Sequence, residues 1–326
     1  MTSPENTVAF IGLGVMGYPM ARNLRKALGS DQTLLICDID KDTIARFQDE
    51  AKDDGPVGVV SNGFEAAKAA NAVITMLPDA AAVESVYLDP TTGILAGISS
   101  STTTTTTTNK FVMECGTIET ATIAALSTAF TTTSPSTTFL DAPVSGGPMG
   151  AAAGTLAFMV GAPSSASFTY AVHTYLTHMG TAASIFHCGA VGSGTAFKLI
   201  NNYLSAITSL AASEALNIGV KAGLDPKLLT QAINAGGGQC WVTSCANPVP
   251  GVQEGVPSAR GYEGGFRLEL CKKVLGMGAR LAESVGARTV LDGPTLKAFE
   301  EAAGDGRYAG RDARVVYKWL SESERK

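Results

Sequence analysis

The spacing of apolar positions changes once along this chain. Up to about Gly192, short apolar runs alternate with amphipathic segments. Thr7-Val-Ala-Phe-Ile11 and Thr33-Leu-Leu-Ile-Cys37 are unbroken apolar runs, of the kind and length of strands buried on both faces. Met16–Leu28 and Lys41–Ala51 read as the helices that follow them. Val57–Val60, Ala72–Leu77, Phe111–Glu114 and Thr138–Asp141 continue the strand series, and Leu156–Val160 and Ser184–His187 extend it. Strands alternating with helices predict βαβ elements in a mostly parallel sheet. From Gly194 the period becomes helical: Ala196, Leu199, Ile200, Tyr203, Leu204, Ile207 and Leu210 share spacing over many turns. Small residues among them, such as Ala206, Ser209 and Ala212, allow packing on several sides. Asp225-Pro226 is an N-cap with proline at the first helical position, and Gly236-Gly-Gly238 ends that helix. Phe266–Val285, Pro294–Ala303 and Asp312–Leu320 predict further helices. The threonine runs at 102–108 and 131–138 read as loop extensions.

Within the first region, Gly12-Leu13-Gly14-Val15-Met16-Gly17 follows the first strand and opens the first helix. The first glycine permits the turn, the second lets a diphosphate approach the backbone, and the third lets helix and strand pack closely. Asp38 closes the second strand, at the distance where a carboxylate meets the ribose hydroxyls of a dinucleotide. Its neighbours are Cys37, Ile39 and Asp40, with no arginine for a 2′-phosphate, so NAD is expected over NADP. The alternative is that Asp38 caps the following helix. The fold expected is therefore α/β: a Rossmann-type doubly wound sheet forming a dinucleotide-binding domain over 1–192, then an all-helical domain for substrate and oligomerisation over 193–326, joined by a long helix.

Composition narrows the function. The 326 residues are 45% hydrophobic and 16% charged, with a net charge of −5, so no basic footprint exists for nucleic acid or an anionic membrane. The longest uncharged stretch, 142–197, holds too many glycines and prolines to read as a membrane span. The N-terminal residues resemble neither a signal peptide nor a transit peptide. Six scattered cysteines lack zinc spacing and read as free thiols of a reducing compartment. Three histidines form no acid–base or metal constellation, His187-Cys188 reads as a strand-end pair, and no metal is expected. The uncharged stretch begins after Asp141-Ala-Pro-Val-Ser-Gly-Gly147 and ends at Gly192-Ser-Gly-Thr-Ala-Phe-Lys198. A lone ammonium set against glycine-rich backbone suits a small anionic substrate, and isolation from other charges favours a lowered pKa. An ordinary surface lysine is the alternative.

These motifs resemble the β-hydroxyacid dehydrogenase family over almost the whole chain. Phe10–Leu24 is similar to its cofactor signature, Asp141–Gly147 with Gly154-Thr-Leu156 to its substrate-binding segment, and Gly192–Asn202 to its catalytic helix. Cys240-Trp241, Asn247–Val252, Gly255–Ala259 and Tyr262–Phe266 resemble the branch that oxidises 3-hydroxyisobutyrate to methylmalonate semialdehyde in valine catabolism. The resemblance implies Lys198 as catalytic acid/base with Asn202 one turn on, and Ser145, Gly146 and Gly147 binding the substrate carboxylate. It implies Leu77, Pro78 and Thr117 lining NAD, and Lys273 near both nicotinamide and substrate. Ala82 stands where relatives place a side-chain contact, Cys115-Gly116 replaces a serine pair, and Val274 replaces an aspartate. A small hydroxy-acid substrate, a homo-oligomer (dimer or tetramer) and the mitochondrial matrix, or otherwise a cytoplasmic setting, are implied with it. Other short substrates (tartronate or succinate semialdehyde) and a catalytically silent dinucleotide-binding scaffold remain alternatives.

Overall fold

Strand β1 (Thr7–Ile11) is buried at every residue and lies inside a nine-stranded sheet. The computed structural model describes residues 6–100 and 110–323, so the threonine run at 102–108 lies outside the described residues. Helix α1 (Gly17–Ala27) leads to β2 (Thr33–Cys37), and α2 (Lys41–Ala51) to β3 (Val57–Val59). Helix α3 (Gly63–Ala69) returns the chain to β4 (Ala72–Thr75), on the other side of β1. Helices α4 (Ala80–Leu88) and α5 (Ile94–Ser99) precede β5 (Phe111–Glu114), and α6 (Thr120–Thr133) precedes β6 (Thr138–Asp141). The order β3-β2-β1-β4-β5-β6 is parallel throughout. Strand order reverses between β1 and β4, which opens a crevice at the carboxyl ends of these strands. Then come β7 (Val144–Ser145), α7 (Gly147–Ala153), β8 (Leu156–Gly161), α8 (Ser165–Thr174) and β9 (Gly180–Gly189). Strand β8 runs antiparallel to β6 and β7 and parallel to β9. The doubly wound, mostly parallel sheet is the one the alternation of the sequence predicts.

Alternate residues of β1 feed two cores, because successive strand side chains point to opposite faces. Val8 and Phe10 join Met20 and Leu24 of α1 and Phe47 of α2. Ala9 and Ile11 join Val83 and Tyr87 of α4 and Ile123 of α6. Each large apolar side chain so buried contributes about 1.5–3 kcal/mol. The helices after β2, β3 and β4 are capped by side chains at their N-termini: Asp40 caps α2, Asn62 caps α3 and Asp79 caps α4.

Two compact units divide the chain, Met1–Lys198 and Leu199–Lys326. The long helix α9 (Ser193–Lys221) carries residues of both. The second unit adds α10 (Pro226–Ala235), α11 (Trp241–Cys245), α12 (Leu268–Ser284), α13 (Asp292–Gly304) and α14 (Val316–Glu322), and no strand among its described residues. Asp225 accepts hydrogen bonds from the Lys227 and Leu228 N–H groups, with Pro226 at the first helical position, as the sequence predicts. Leu268 and Leu275 of α12, Phe299 of α13 and Val316 of α14 share one core.

Two elements differ from the expectation. The threonines at 131–133 belong to α6 and not to a loop: Thr131 donates to the Ser127 carbonyl (2.9 Å) and Thr132 to the Thr128 carbonyl (2.8 Å). Bonding the hydroxyl back to the preceding turn lets β-branched residues persist in a helix. The last strand is ten residues long, because β9 follows β8 through two register shifts that absorb its irregular pairing.

Candidate active site

The glycine turn after β1 is built for an anion. Gly12 has φ +95°, and a Cβ there would overlap the Met76 carbonyl oxygen; a Cβ on Gly17 would overlap the Gly12 carbonyl oxygen. A Cβ on Gly14 would meet nothing within 4 Å, so open space lies against the backbone there. Helix α1 follows Met16 with no side-chain cap, unlike the helices capped by Asp40, Asn62 and Asp79, and it has no acidic residue in its first turn. Uncapped N–H groups at the positive end of a helix suit a diphosphate, so these residues fit a bound dinucleotide.

Asp38 is fastened to this turn. One carboxylate oxygen accepts from the Leu13 N–H (2.5 Å) and the other from the Asp40 N–H (2.8 Å). Capping of α2 falls to Asp40, which accepts from Asp42 and Thr43. The capping alternative for Asp38 is thereby removed. A carboxylate offers about four lone-pair sites, so two remain for ribose hydroxyls. Beside it, the Ile39 side chain is fully exposed and apolar.

The exits of β4 and β5 complete this end of the sheet. Leu77 lies against the glycine turn, its Cδ2 3.4 Å from the Cβ position of Gly12. Pro78 is exposed and Thr117 half-buried, each just beyond its strand. Asp79 takes the Ala82 N–H (2.9 Å), so residue 82 serves the helix start. Gly116 donates to Glu114 Oε1 (2.6 Å), and a Cβ there would stand 2.6 Å from that oxygen and 2.7 Å from the Leu77 carbonyl. Glycine at 116 suits this crowding.

Asp141 joins the end of β6 to the start of the helix that carries Lys198. Strand β7 ends at Ser145, and Gly146 and Gly147 follow with φ +140° and +63°, conformations that favour glycine. Asp141, fully buried at the end of β6, accepts from the Gly192 N–H and the Thr195 N–H, both at 2.6 Å. It thus satisfies two donors at the start of α9. Burial pushes its carboxyl pKa up, against the lowering effect of these bonds. Gly194 packs on β8 so closely that a Cβ would overlap the Met159 carbonyl. Lys198 follows on the next turn. It is 8% exposed, and among the described residues its ammonium has no hydrogen-bond or ion-pair partner. Desolvation lowers its pKa to about 8. His187 stacks on Phe168 with ring centroids 4.7 Å apart, a packing role in β9.

Asn202 is half-buried on α9, one helical turn beyond Lys198. In the second unit, Lys273 is half-buried on α12. Val274 clusters with Leu199 and Met277, so the aspartate of the family pattern would place a carboxylate in an apolar cluster here. Trp241 is 58% exposed, with the Arg314 guanidinium 5.6 Å from its ring centroid.

Three residues of this site were not singled out from the sequence. Asp141 appeared there only as part of a motif, and its role depends on a helix 51 residues away. Glu114 and Asn23 were likewise passed over. Asn23 on α1 donates to the Ala151 carbonyl of α7 (2.7 Å), tying the helix of the glycine turn to the helix that follows Ser145 and Gly146. An acid at the inner end of an apolar strand was the available signal for Asp141 and Glu114 alike.

A doubly wound sheet with an uncapped glycine turn after its first strand defines a dinucleotide-binding fold. Residues 7–192 match the NAD binding domain of 6-phosphogluconate dehydrogenase, and residues 192–320 match a family described as NAD-binding of NADP-dependent 3-hydroxyisobutyrate dehydrogenase. The chain is 38% identical over 324 residues to the probable mitochondrial 3-hydroxyisobutyrate dehydrogenase of Dictyostelium discoideum, covering 99% of this chain and 93% of that one. It is 37% identical over 320 residues to the human mitochondrial enzyme, covering 98% and 88%. The Mycobacterium tuberculosis 3-hydroxyisobutyrate dehydrogenase, solved with L-serine, superposes with a TM-score of 0.80 at 32% identity, over 97% of this chain and 99% of that one. The chain belongs to the 3-hydroxyisobutyrate dehydrogenase family.

Proposed function

We propose that this protein oxidises the primary alcohol of 3-hydroxyisobutyrate to methylmalonate semialdehyde with NAD, using Lys198 as the acid–base group. The observation that carries the reading is Lys198 itself: a buried ammonium, partnerless among the described residues, with its pKa lowered to about 8. Neutral amine is then available near physiological pH to accept a proton. Backbone N–H groups and the hydroxyl of Ser145-Gly146-Gly147 hold the substrate carboxylate and orient the alcohol carbon. Bound NAD supplies the hydride acceptor. As the carbon gives up its hydride, Lys198 takes the hydroxyl proton; in the reverse direction the ammonium returns it and steadies the developing alkoxide. Asn202 orients the lysine or the hydroxyl, and Lys273 serves both substrate and nicotinamide.

The preference for NAD rests on Asp38, whose carboxylate would repel a 2′-phosphate, and on Ile39 beside it. We expect kcat/KM for NAD to exceed that for NADP by more than about tenfold, the worth of a charged hydrogen bond. Asp38→Ala should cut NAD efficiency and narrow that ratio. Better turnover with NADP in the unaltered protein would contradict the assignment.

The division into a dinucleotide-binding domain over 1–192 and a helical domain over 193–326, the setting in valine catabolism and the mitochondrial matrix belong to the same reading. So does a homo-oligomer, which Phe197, Ile200 and Leu204 support by exposing 53%, 60% and 61% of their surface along α9. A second reading is a different short β-hydroxy acid. The L-serine of the mycobacterial structure favours it, since serine carries the same carboxylate and primary hydroxyl. NADH formation across a panel of 3-hydroxyisobutyrate, L-serine, tartronate semialdehyde and succinate semialdehyde (the last two in reverse) separates the two. Highest kcat/KM with 3-hydroxyisobutyrate is the expected result.

A further inference from the structure

Glu114 is fully buried, and the mechanism above leaves it without a task. Its surroundings are specific. Oε1 accepts from the Gly116 N–H at 2.6 Å. Oε2 is held by the Thr75 hydroxyl, and that hydroxyl meets Tyr87 Oη at 2.6 Å. Tyr87 is itself set by edge contacts with the rings of Phe130 and Phe139. The carboxyl therefore joins three pieces: the end of β4, the exit of β5 and a helix in the core.

These pieces converge on the crevice. Gly116 is pressed against the Leu77 carbonyl, Leu77 and Met76 abut Gly12, and the Met76 N–H donates to the Ile11 carbonyl (2.9 Å). A continuous line of contact thus runs from Glu114 through the exits of β5 and β4 to the glycine turn. Ligands of doubly wound sheets bind outside the carboxyl ends of the strands where strand order reverses. Here that place is the exit of β1 and β4, with β5 alongside.

We propose that Glu114 is a positioning residue for dinucleotide binding: with Thr75 it clamps the 115–117 turn against Leu77 and so holds one wall of the crevice beside the glycine turn. The inference depends on the dinucleotide occupying that crevice, and not on the identity of the hydroxy acid or on Lys198. Burial raises the Glu114 pKa to about 7, which agrees with a carboxyl whose hydrogen bonds are satisfied whether or not it carries a proton. Protonated, it donates to Thr75, which can turn to the Met113 carbonyl at 3.3 Å. Ionised, it accepts from Thr75.

Glu114→Gln keeps an acceptor for the Gly116 N–H and a donor for Thr75. Glu114→Ala removes both: the buried Gly116 N–H loses its acceptor, and Thr75 keeps only Tyr87 and the Met113 carbonyl. NADH binding, read by quenching of protein fluorescence in the full chain without substrate, tests the clamp. Glu114→Ala should raise the NADH Kd and the KM for NAD by about tenfold or more, with kcat at saturating NAD within about twofold, while Glu114→Gln stays within about threefold of the unaltered protein. Should Glu114→Ala fail to fold, Thr75→Val decides: a Kd raised about threefold or more supports the clamp, and an unchanged Kd overturns it. A folded Glu114→Ala protein with lowered Tm but unaltered NADH affinity also overturns it, as does a Gln variant as weak as Ala. Absence of 3-hydroxyisobutyrate turnover in the unaltered protein, with NADH still bound, would count against the proposed substrate and leave the clamp to be decided by the variants' NADH affinities.

Discussion

Lys198→Ala should lower kcat for alcohol oxidation by about 10²–10⁴-fold, the usual worth of a positioned acid–base group. The NADH Kd should change little, because the glycine turn and Asp38 are formed by other elements of the sheet. The physical basis is the setting of the amine. A buried ammonium without a partner among the described residues favours its neutral form, and truncation removes that titrating group. Lys198→Arg should be nearly as inactive, since a guanidinium stays protonated at any useful pH. Steady-state kinetics with 3-hydroxyisobutyrate, paired with NADH fluorescence, checks both. Retention of more than about a tenth of kcat in the alanine variant would remove Lys198 from the mechanism.

The second large effect is expected at Asp141. Its two carboxylate oxygens each take one N–H at the start of α9. Asparagine has the same shape, yet one of its two terminal atoms becomes a donor and must face the Gly192 or the Thr195 N–H. Loss of one charged hydrogen bond with a buried donor left unpaired costs about 2–5 kcal/mol. Asp141→Asn should therefore lower Tm by roughly 5–15 °C. Because Lys198 is three residues beyond Thr195 on the same helix, kcat should fall as well, with NADH affinity less affected. Calorimetry and kinetics on one preparation test this. Unchanged Tm and kcat would show that α9 does not depend on this carboxylate for its placement.

The parts of this site that the sequence displayed openly are those fixed by local backbone geometry. Gly12 and Gly17 are constrained by atoms within the turn and the adjacent strand exit, and the pattern of glycines announces that constraint. The alternation of strands and helices in a mostly parallel sheet followed from apolar runs alternating with helical spacing, which a sheet buried on both faces requires. Asp38 was placed by distance along the chain, and the structure adds its bond to Leu13. What stayed hidden depends on partners far away in sequence. Glu114 and Asp141 stand at matching positions at the ends of β5 and β6, yet one stitches two loop exits and the other secures a helix. No local pattern separates those tasks. Val274 looked like a lost function until Leu199 and Met277 were seen around it; its apolar side chain suits that cluster. The threonines at 131–133 misled for another reason: their hydroxyls bond within the helix, which composition does not display.

The most direct test is the pH dependence of kcat/KM for 3-hydroxyisobutyrate oxidation at saturating NAD. Lys198 must be neutral to accept the hydroxyl proton, so the rate should rise with pH and level off above an apparent pKa near 8. The residual rate of Lys198→Ala should lack that ascending limb. An identical limb in the alanine variant would show that a different group titrates, and that Lys198 is not the base.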